Sequence, residues 1–480
     1  MRKRLTKIIL VTLFLFCGTA SGQTAASRPA ESAVAPETSK YLLLDSRIVE
    51  RKINARLTLG TANKDAGNPL FVEEKPWEPR FDNLYPNVMY DQQEHLYKCW
   101  YSPFIIDQAV TRTPPEKRKT LTYMEALHGN DRYMGVCYAT SQDGLKWTKP
   151  ELGIIEFNGS TRNNIVLRGV HGAGIFKDLR DPDPARRYKL FAKTGEDREP
   201  VGVAFSPDGL HWSKASPCAG IGAAGDTHNN SFWDDRLQCY VAITRLFDGK
   251  QRTVGRSTSK DYNHWSKAEQ VFCGNPQRQT YAMPVFRYAG VYLGLVMILD
   301  TKTELVDCEL AWSPDGLKWE RVCKGKPLIP RGPKGSFDYG CIFAAAYPIM
   351  RDNEIRLYYA GSDNTHTGWR KSVFALARLR PDGFAGYEPA NKNEAATIVT
   401  KPIRCESDSL RVSADAAAGS LLVTVLDEKG TPLGVSRPII KDVTDATVEW
   451  TQPDLLAKFK GQTIQLKFEL KSAKLYAFRF

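Results

Sequence analysis

The chain lacks closely spaced cysteine pairs, because none of its ten cysteines belongs to a Cys-x-x-Cys motif. Structural zinc sites are built from ligands at such spacings, so a zinc cage is disfavoured and no metal site is predicted. The cysteines follow no disulfide framework either, which leaves any pairing open. Cys99, Cys137 and Cys239 stand in apolar runs, where a small side chain suits a buried strand.

The chain also lacks a basic stripe or arm, although its formal net charge is +12. Its Lys and Arg residues are dispersed, as on a solvated surface, so no nucleic-acid partner is predicted. A composition of 42% hydrophobic and 25% charged residues excludes a disordered chain and a membrane bundle, and is ordinary for a globular protein. Nothing in the sequence indicates an oligomeric state.

No apolar run reaches the length of a membrane span. The run Ile8 to Phe16 follows four basic residues and precedes the small residues Ala20 and Gly22. This pattern predicts a signal peptide over residues 1–22, and therefore export to the periplasm or the extracellular space. No integral membrane segment is predicted after its removal. Residues 23–40, rich in Ala, Ser, Pro, Glu and Thr, are predicted to form a flexible leader.

The chain does contain a recurring seven-residue phrase, Ser-x-Asp-Gly-Leu-x-Trp. The intact copies are Ser141–Trp147, Ser206–Trp212 and Ser313–Trp319, and a degenerate copy is Ser259–Trp265. Successive copies begin 53 to 65 residues apart. Strand-like segments flank them, and repeats of this length predict a β-propeller.

The Asp-Gly step of the phrase is typical of a tight turn. Gly adopts a positive φ without steric cost, and the carboxylate accepts hydrogen bonds from nearby backbone N–H groups. The phrase is therefore predicted to connect two strands of a hairpin, with its Asp in a structural role. Sialidase Asp-boxes look similar, but they carry one residue between Asp and Gly that is missing here.

The strand pattern predicts an all-β protein with a five-bladed β-propeller over residues 76–390. Five groups of strand-like segments precede about residue 390, and the last ends in a worn copy of the turn, Pro381-Asp382-Gly383. The first group carries a polar insertion near Asp107 to Asn130. Residues 41–75 are predicted to form an arm packed on the propeller.

A different pattern begins after about Asn391. Alternating apolar and polar residues from Thr463 to Leu470 are typical of a sheet with one buried face. With the strand-like segments Leu421 to Leu426 and Lys474 to Phe480, this pattern predicts a β-sandwich over residues 391–480.

The repeat also predicts which residues face the propeller axis, since the funnel is lined from the start of each innermost strand. Counting back about forty residues from the turns of blades two to five reaches Gly172, Asp226, Gln279 and Asp338. In blade one the insertion breaks the count, and the segment from Trp77 to Asn83 precedes the first strand. The predicted ring contains Glu78, Asp82, Asn83, His171, Asp226, His228, Asn229, Gln279, Tyr281, Asp338 and Tyr339.

Carboxylates that converge from different blades suit glycoside hydrolysis. One acid protonates the leaving oxygen, while another carboxylate activates water or attacks the anomeric carbon. The predicted catalytic residues are Asp82, Asp226 and Asp338; the alternative is that each caps a strand end. The predicted substrate-binding residues are Trp77, Glu78, Asn83, His171, His228, Asn229, Tyr281 and His366.

No cofactor is predicted. Asp178, Asp181 and Asp183 stand in a Pro-containing turn, where a structural role is favoured. A structural calcium site stays open as an alternative there, although no EF-hand-like spacing supports it.

Several motifs carry a family resemblance: Asn68-Pro-Leu-Phe71, Tyr97-Lys-Cys-Trp-Tyr101, Asp226-Thr-His-Asn229 and Tyr358-Tyr-Ala-Gly361. With Trp77-Glu78, they resemble the five-bladed β-propeller glycoside hydrolases of the invertase, fructosidase, arabinanase and xylosidase type. More closely, the chain resembles a secreted bacterial branch described as having a family 32 N-terminal-like domain.

The resemblance implies that Asp82 serves as nucleophile or base and that Asp226 stands in the place of the acid. The chain departs from the pattern in blade two, which offers His171-Gly172 instead of an Asp, and in blade three, which has Asp instead of Glu. The invertase signature Asn-Asp-Pro-Asn is absent, so sucrose or fructan activity is disfavoured. One relative with a similar propeller uses a histidine as the catalytic acid. His228 and His366 are therefore alternative candidates for the acid.

The resulting hypothesis is an exported glycoside hydrolase, exo-acting on plant or algal oligosaccharides. The alternative is a carbohydrate-binding propeller without catalysis, and a third class is an extracellular scaffold. The sugar, the linkage and the stereochemical outcome are not indicated by the sequence.

Overall fold

The computed structural model describes residues 40–129, 131–194, 201–223 and 225–480. Strands dominate these residues, which confirms the predicted all-β class. The predicted signal peptide and all but the last residue of the predicted leader lie outside the described residues. In the described part of the chain no helix is long and apolar enough to cross a membrane.

An arm precedes the repeats. Its strands are β1 (Lys40–Leu42), β2 (Val49–Ile53), β3 (Ala55–Leu59), β4 (Asn63–Lys64) and β5 (Phe71–Val72).

The repeat region consists of consecutive antiparallel strand groups. Group 1 holds β6 (Asn87–Asp91), β7 (Leu96–Tyr101), β8 (Phe104–Asp107), α1 (Gln108–Arg112), α2 (Tyr123–Ala126), β9 (Arg132–Ser141) and β10 (Ile165–Arg168). Group 2 holds β11 (Val170–Lys177), β12 (Tyr188–Thr194), β13 (Val201–Ser206) and β14 (Ser216–Pro217). Group 3 holds β15 (Asn230–Asp234), β16 (Cys239–Phe247), β17 (Arg252–Ser259) and β18 (Glu269–Cys273).

The next two groups share one sheet, because a single parallel bridge joins Val306 to Cys341. Group 4 holds β19 (Arg278–Ala282), β20 (Val285–Tyr288), β21 (Val291–Asp300), β22 (Leu305–Ser313) and β23 (Glu320–Val322). Group 5 holds β24 (Cys341–Ala344), β25 (Ile349–Arg351), β26 (Glu354–Ser362) and β27 (Ser372–Leu379).

The remaining strands form two further sheets. They are β28 (Ala385–Pro389), β29 (Ala396–Thr400), β30 (Ile403–Arg404), β31 (Arg411–Asp415), β32 (Ser420–Leu426), β33 (Pro432–Val435), β34 (Asp442–Thr447), β35 (Thr463–Lys471) and β36 (Lys474–Arg479). One sheet runs β3-β28-β36-β31-β34, with β1 also on β36, and the other runs β2-β29-β35-β32-β33, with β30 also on β35.

The beginning of each group contacts the beginning of the next group, and group 5 contacts group 1. Side-chain amides make two of these contacts, since Asn87 in group 1 binds the backbone of β11 and Asn230 in group 3 binds that of β20. The other contacts are Asn229 N–H to Gly172 O, the Tyr281–Phe343 ring pair and Ala346 N–H to Pro86 O. The repeat region therefore closes on itself.

The recurring phrase forms the predicted hairpin turn in its three intact copies and in the degenerate copy, but the worn copy at Asp382 joins strands of different sheets. In the first copy, Asp143 Oδ1 accepts from the N–H groups of Leu145 and Lys146 at 2.7 and 2.8 Å, and Gly144 has a φ of +75°. The Asp is therefore bound within its own turn. The degenerate copy keeps this geometry with Tyr262 at the Gly position, at a φ of +66°.

The N-terminal arm divides between the two parts of the protein. Strands β4 and β5 pair with β27 and complete group 5. Strands β1, β2 and β3 instead pair with β36, β29 and β28. Residues 40–59 therefore pair with the C-terminal sheets, and Leu43 joins that core, whereas Leu42 and Leu44 pack into the core of the repeat region.

Two interruptions shape the strands near the site. Strand β6 begins only at Asn87, because Leu84 and Tyr85 have positive φ angles of 58° and 44°. In group 5, β24 ends at Ala344 and β25 begins at Ile349. The polar insertion of group 1 contains two short helices, and Thr122 and Glu125 form a capping box on α2. The nine described cysteines are free, with Cys99, Cys137 and Cys239 among the buried ones.

Strand β36 lies in the interior of the C-terminal sheets, and we predict that Phe478 is essential to their stability. Its ring is 1% exposed and stacks on Tyr41 of the arm, with centroids 4.9 Å apart. Phe478→Ala should lower the free energy of unfolding by about 3–5 kcal/mol, because it leaves a cavity in the core. Denaturant unfolding measures this loss. Ile440→Ala is the control, since Ile440 is 66% exposed; equal stability of the two variants would contradict the packing described.

Candidate functional site

Six of the predicted site residues lie together where the first strands of several groups begin. We call Asp82, Asn83, His171, Asp226, Tyr281 and His366 the central cluster. Asp82 and Asn83 precede β6, His171 is the second residue of β11, and Asp226 precedes β15. Tyr281 belongs to β19, and His366 lies in the loop from β26 to β27. The topology thus brings together residues from all five groups.

Two arginines hold Asp82. Its Oδ1 accepts from Arg370 Nη2 at 2.7 Å and from Arg80 Nε at 3.2 Å. Burial acts to raise the pKa of this carboxyl, but Arg370 and Arg80 outweigh burial and hold the pKa well below its usual range. Both arginines donate to Oδ1 of the carboxylate. The site therefore contains a largely buried carboxylate that its arginine partners keep ionised.

A polar chain runs from Asp82 to the loop of group 5. Arg370 also donates to Asn83 Oδ1 at 2.7 Å, and Asn83 Nδ2 lies 3.2 Å from the Tyr281 hydroxyl. That hydroxyl is 2.9 Å from His366 Nε2, and His366 Nδ1 lies 3.4 Å from Glu304. Burial lowers the pKa of His366, against the opposing effect of Glu304. The chain fixes the orientation of Tyr281 and His366.

Asp226 is the most accessible carboxylate of the central cluster, with 55% of its side chain exposed. Its Oδ2 accepts from Arg245 Nη1 at 2.9 Å, and its Oδ1 lies 2.9 Å from His171 Nε2. Burial acts to raise its pKa, but Arg245 and His171 hold the pKa far below its usual range. Asp226 is therefore ionised at neutral pH.

A buried set of rings lies beneath the central cluster, and we call Tyr85, His228 and Phe343 the plug. The Tyr85 ring lies 5.2 Å from His228 and 6.2 Å from Phe343, and all three are at most 1% exposed. Burial lowers the pKa of His228 to about 3, with a smaller opposing effect from the backbone of Ala344. His228, a predicted substrate-binding residue, is thus a neutral packing residue.

Burial is also the main cause of the raised pKa of Tyr85, and both Asp226 and Asp82 contribute to it. The two carboxylates therefore act on the same buried ring from two strand groups.

Other predicted site residues lie outside the central cluster. Asp338 is buried and binds Lys64 at 2.5 Å and the Tyr359 hydroxyl at 2.9 Å. Glu78 is buried and accepts from the Tyr101 hydroxyl at 2.6 Å and from Lys149 at 2.8 Å.

Four more predicted residues have structural contacts. Trp77 donates from its indole to Asn164 at 2.6 Å. Asn229 is buried and donates to the backbone oxygens of Gly172 and Gly225. Gln279 accepts from Arg252 at 2.8 Å at the edge of the cluster. Tyr339 contacts Arg331, whose guanidinium lies 5.9 Å from its ring.

The sequence analysis missed the arginines on which the cluster depends. Arg370 follows His366 by four residues in the same loop, and Arg245 interrupts an otherwise apolar strand, β16. A buried cation in a strand demands an anionic partner, and this signal could have identified Arg245. Arg80 and Glu304 carry no comparable signal in the sequence.

Metal ligation is not indicated by the described residues, in which no group of three or more His, Cys, Asp or Glu side chains could hold an ion. At the turn considered for calcium, Asp178 and Asp181 both bind Lys189, at 3.1 and 2.7 Å. Asp183 caps a single helical turn by accepting from Ala185 N–H.

Comparisons with known proteins leave the family open, since neither a protein-family model nor a curated protein matches the chain. Similar solved structures include an N-acetylgalactosamine deacetylase from F. plautii, with 16% identity over 66% of this chain and 95% of that chain and a TM-score of 0.45. A glycosyl hydrolase from Bacteroides ovatus has 15% identity over 66% and 94%, with a TM-score of 0.44. A member of the GH130 family of mannoside phosphorylases has 13% identity over 66% and 94%, with a TM-score of 0.45. Similarity at this level assigns no activity.

We predict that His228 makes the protein less stable in acid. Its pKa of about 3 in the folded protein lies below the value of about 6.5 in an unfolded chain. Between these values only the unfolded state takes up the proton, so this contribution to stability is complete above about pH 6.5 and declines as the pH falls. His228→Gln should reduce the dependence of the unfolding free energy on pH between pH 6 and 4 by about 1 kcal/mol per unit.

Urea unfolding at several pH values measures this slope, whatever the stability of the variant at neutral pH. The control is His128→Gln, because His128 is exposed and should leave the slope unchanged. A slope for His228→Gln equal to that of the wild type would show that His228 is not held neutral.

Proposed function

We propose that the protein is an exported glycoside hydrolase built on a five-bladed β-propeller with a C-terminal β-sandwich. One observation carries this proposal: Asp82 and Asp226 come from different strand groups, meet in one cluster and are each held ionised by arginine. Glycoside hydrolysis requires a base or nucleophile and a proton donor on either side of the scissile bond. The closed ring of strand groups supports the five-bladed interpretation.

Asp82 takes the role of base or nucleophile. Arg370 and Arg80 stabilise its charge and hold Oδ1, so that Oδ2 is left for water or for the anomeric carbon. A carboxylate with a depressed pKa is ionised at neutral pH, which suits this role.

Asp226 is unsuited to act alone as the acid that the family resemblance implied. A general acid must carry a proton, and the pKa of Asp226 is held far below its usual range. We assign the proton donor to the pair of His171 and Asp226. His171 Nε2 lies 2.9 Å from Asp226 Oδ1, so the carboxylate orients the imidazole, and the imidazole gives the proton to the leaving oxygen.

The insertion of group 1 supports exo-action. Its residues pack against the loop of group 5, where the Trp369 indole donates to Leu121 O at 2.6 Å and the Arg118 guanidinium lies 4.9 Å from the Trp369 ring. The Arg80 guanidinium lies 3.9 Å from the ring of Tyr123. These contacts close one side of the central cluster. An oligosaccharide would therefore enter the site with one end of its chain.

A carbohydrate-binding protein without catalysis is the second candidate. It is favoured by the low exposure of the Asp82 side chain, 12%, and by the two arginines on one of its oxygens. Buried ion pairs of this kind also occur as structural elements.

We predict that Asp82→Asn and Asp226→Asn each lower the rate of sugar release by about 10²-fold or more, because the first removes the base or nucleophile and the second removes the carboxylate that orients the proton donor. Release from a panel of plant and algal oligosaccharides measures the effect, and circular dichroism checks folding. Asp183→Asn is the control, since Asp183 is an exposed cap. Full activity in both cluster variants would refute the site, and wild-type binding without turnover would establish the second candidate.

The assigned proton donor predicts a dependence on the leaving group. His171→Gln should lose at least about 10-fold more activity on a phenyl glycoside than on a dinitrophenyl glycoside, because a good leaving group needs little protonation. Both compounds would carry the sugar that the wild type releases. His264→Gln, altered at an exposed histidine, is the control. An equal loss on both compounds would remove His171 from the acid role.

A further inference from the structure

A cavity of about 650 Å³ lies at the other ends of the strands that carry the central cluster. It is lined where β6, β11 and β15 end, whereas the cluster lies where they begin. His171 in the cluster and Lys177 in the cavity lining stand on the same strand, about 20 Å apart along an extended chain. We call this space the second cavity.

The plug lies between the two spaces. Tyr85 precedes β6, His228 precedes β15 and Phe343 belongs to β24, so the three buried rings stand on the path from one end of the first strands to the other. The second cavity is therefore distinct from the central cluster, and a ligand bound there does not touch Asp82 or Asp226.

The charges around the second cavity compensate one another. Each charged side chain of the lining has an opposite partner: Asp91 with Lys177 at 2.8 Å, Asp178 with Lys189 at 3.1 Å, Arg180 with Asp235, and Arg351 with Asp352 at 3.4 Å. The lining thus holds no unpaired charge to attract an ionic ligand. This differs from the central cluster, in which arginines face carboxylates that would act on substrate.

Aromatic side chains and amides supply the rest of the lining. Trp233, Tyr90 and Tyr347 are partly exposed there, and the Arg351 guanidinium lies 3.8 Å from the Tyr90 ring. The amides of Gln92 and Gln93 are exposed at the edge. Aromatic faces pack against the C–H faces of a sugar ring, and amides bind its hydroxyl groups.

We propose that the second cavity binds a neutral saccharide. Its volume lies within the range of about 300–1,000 Å³ that small-molecule sites occupy. Its paired charges disfavour anions and cations, and its combination of rings and amides suits a polyhydroxylated ligand. The site serves to hold glycan on the protein, away from the central cluster, and it needs no catalysis there.

The test titrates the full chain with cellohexaose, xylohexaose and arabinohexaose by calorimetry, in the Asp82→Asn background to prevent turnover. Trp233→Ala and Gln93→Ala should each weaken the binding of at least one of these sugars by about 10-fold, the effect of losing one stacked ring or one set of hydrogen bonds. Gln93→Ala is included because Trp233 also packs against Tyr240. Gln452→Ala, altered at an exposed amide of the C-terminal sheets, should bind as the parent does.

In a chain with Asp82 intact, Trp233→Ala and Gln93→Ala should leave any sugar release from short substrates unchanged. Undiminished sugar binding in both variants would overturn the proposal. So would a cavity that binds trigalacturonate or the apolar dye 1-anilinonaphthalene-8-sulfonate, but none of the three neutral sugars. Absence of hydrolysis in the wild type would refute the proposed function alone, because binding in the second cavity is measured without turnover.

Discussion

The contact of each repeat turn with the preceding strand group is the constraint on which the rest of the structure depends. Gly144 O, in the turn of group 1, accepts from the Tyr358 hydroxyl of group 5 at 2.8 Å, and Arg356 donates to Asp143 O at 2.7 Å. The equivalent oxygen of Gly209 accepts from the indole of Trp100 in group 1 at 2.7 Å. Because the first turn contacts the last group, the groups close into a ring, and only a closed ring brings their first strands together.

The central cluster places several charges in a confined space, and it is stable only because they are matched. The buried Asp82 requires Arg370 and Arg80, while the buried Arg245 requires Asp226, since an unpaired buried charge costs several kcal/mol or more. The same pairing keeps both carboxylates ionised. In the proposed reaction, this pairing prevents Asp226 from acting alone as the acid and gives that role to the histidine beside it.

Several features of this arrangement were readable from the sequence. The phrase with its Asp-Gly step identified the turns, and counting back from them reached Asp226 and the residues near His171 and Tyr281. The count failed at Asp338, because that residue lies before the strand but is bound by Lys64 of the arm. A periodic count predicts how far along the chain a residue lies from a turn, but not which way its side chain points.

The alternation of residues and the turn phrase thus determined the all-β class and the positions of the hairpins, because these depend on local backbone preferences and on a two-residue period. Only the tertiary structure decided which arginine binds which carboxylate, that β1 to β3 join the C-terminal sheets, and that His228 is a buried packing residue. These properties depend on contacts between residues far apart in the chain, such as Asp82 and Arg370, and local sequence carries no information on such distances.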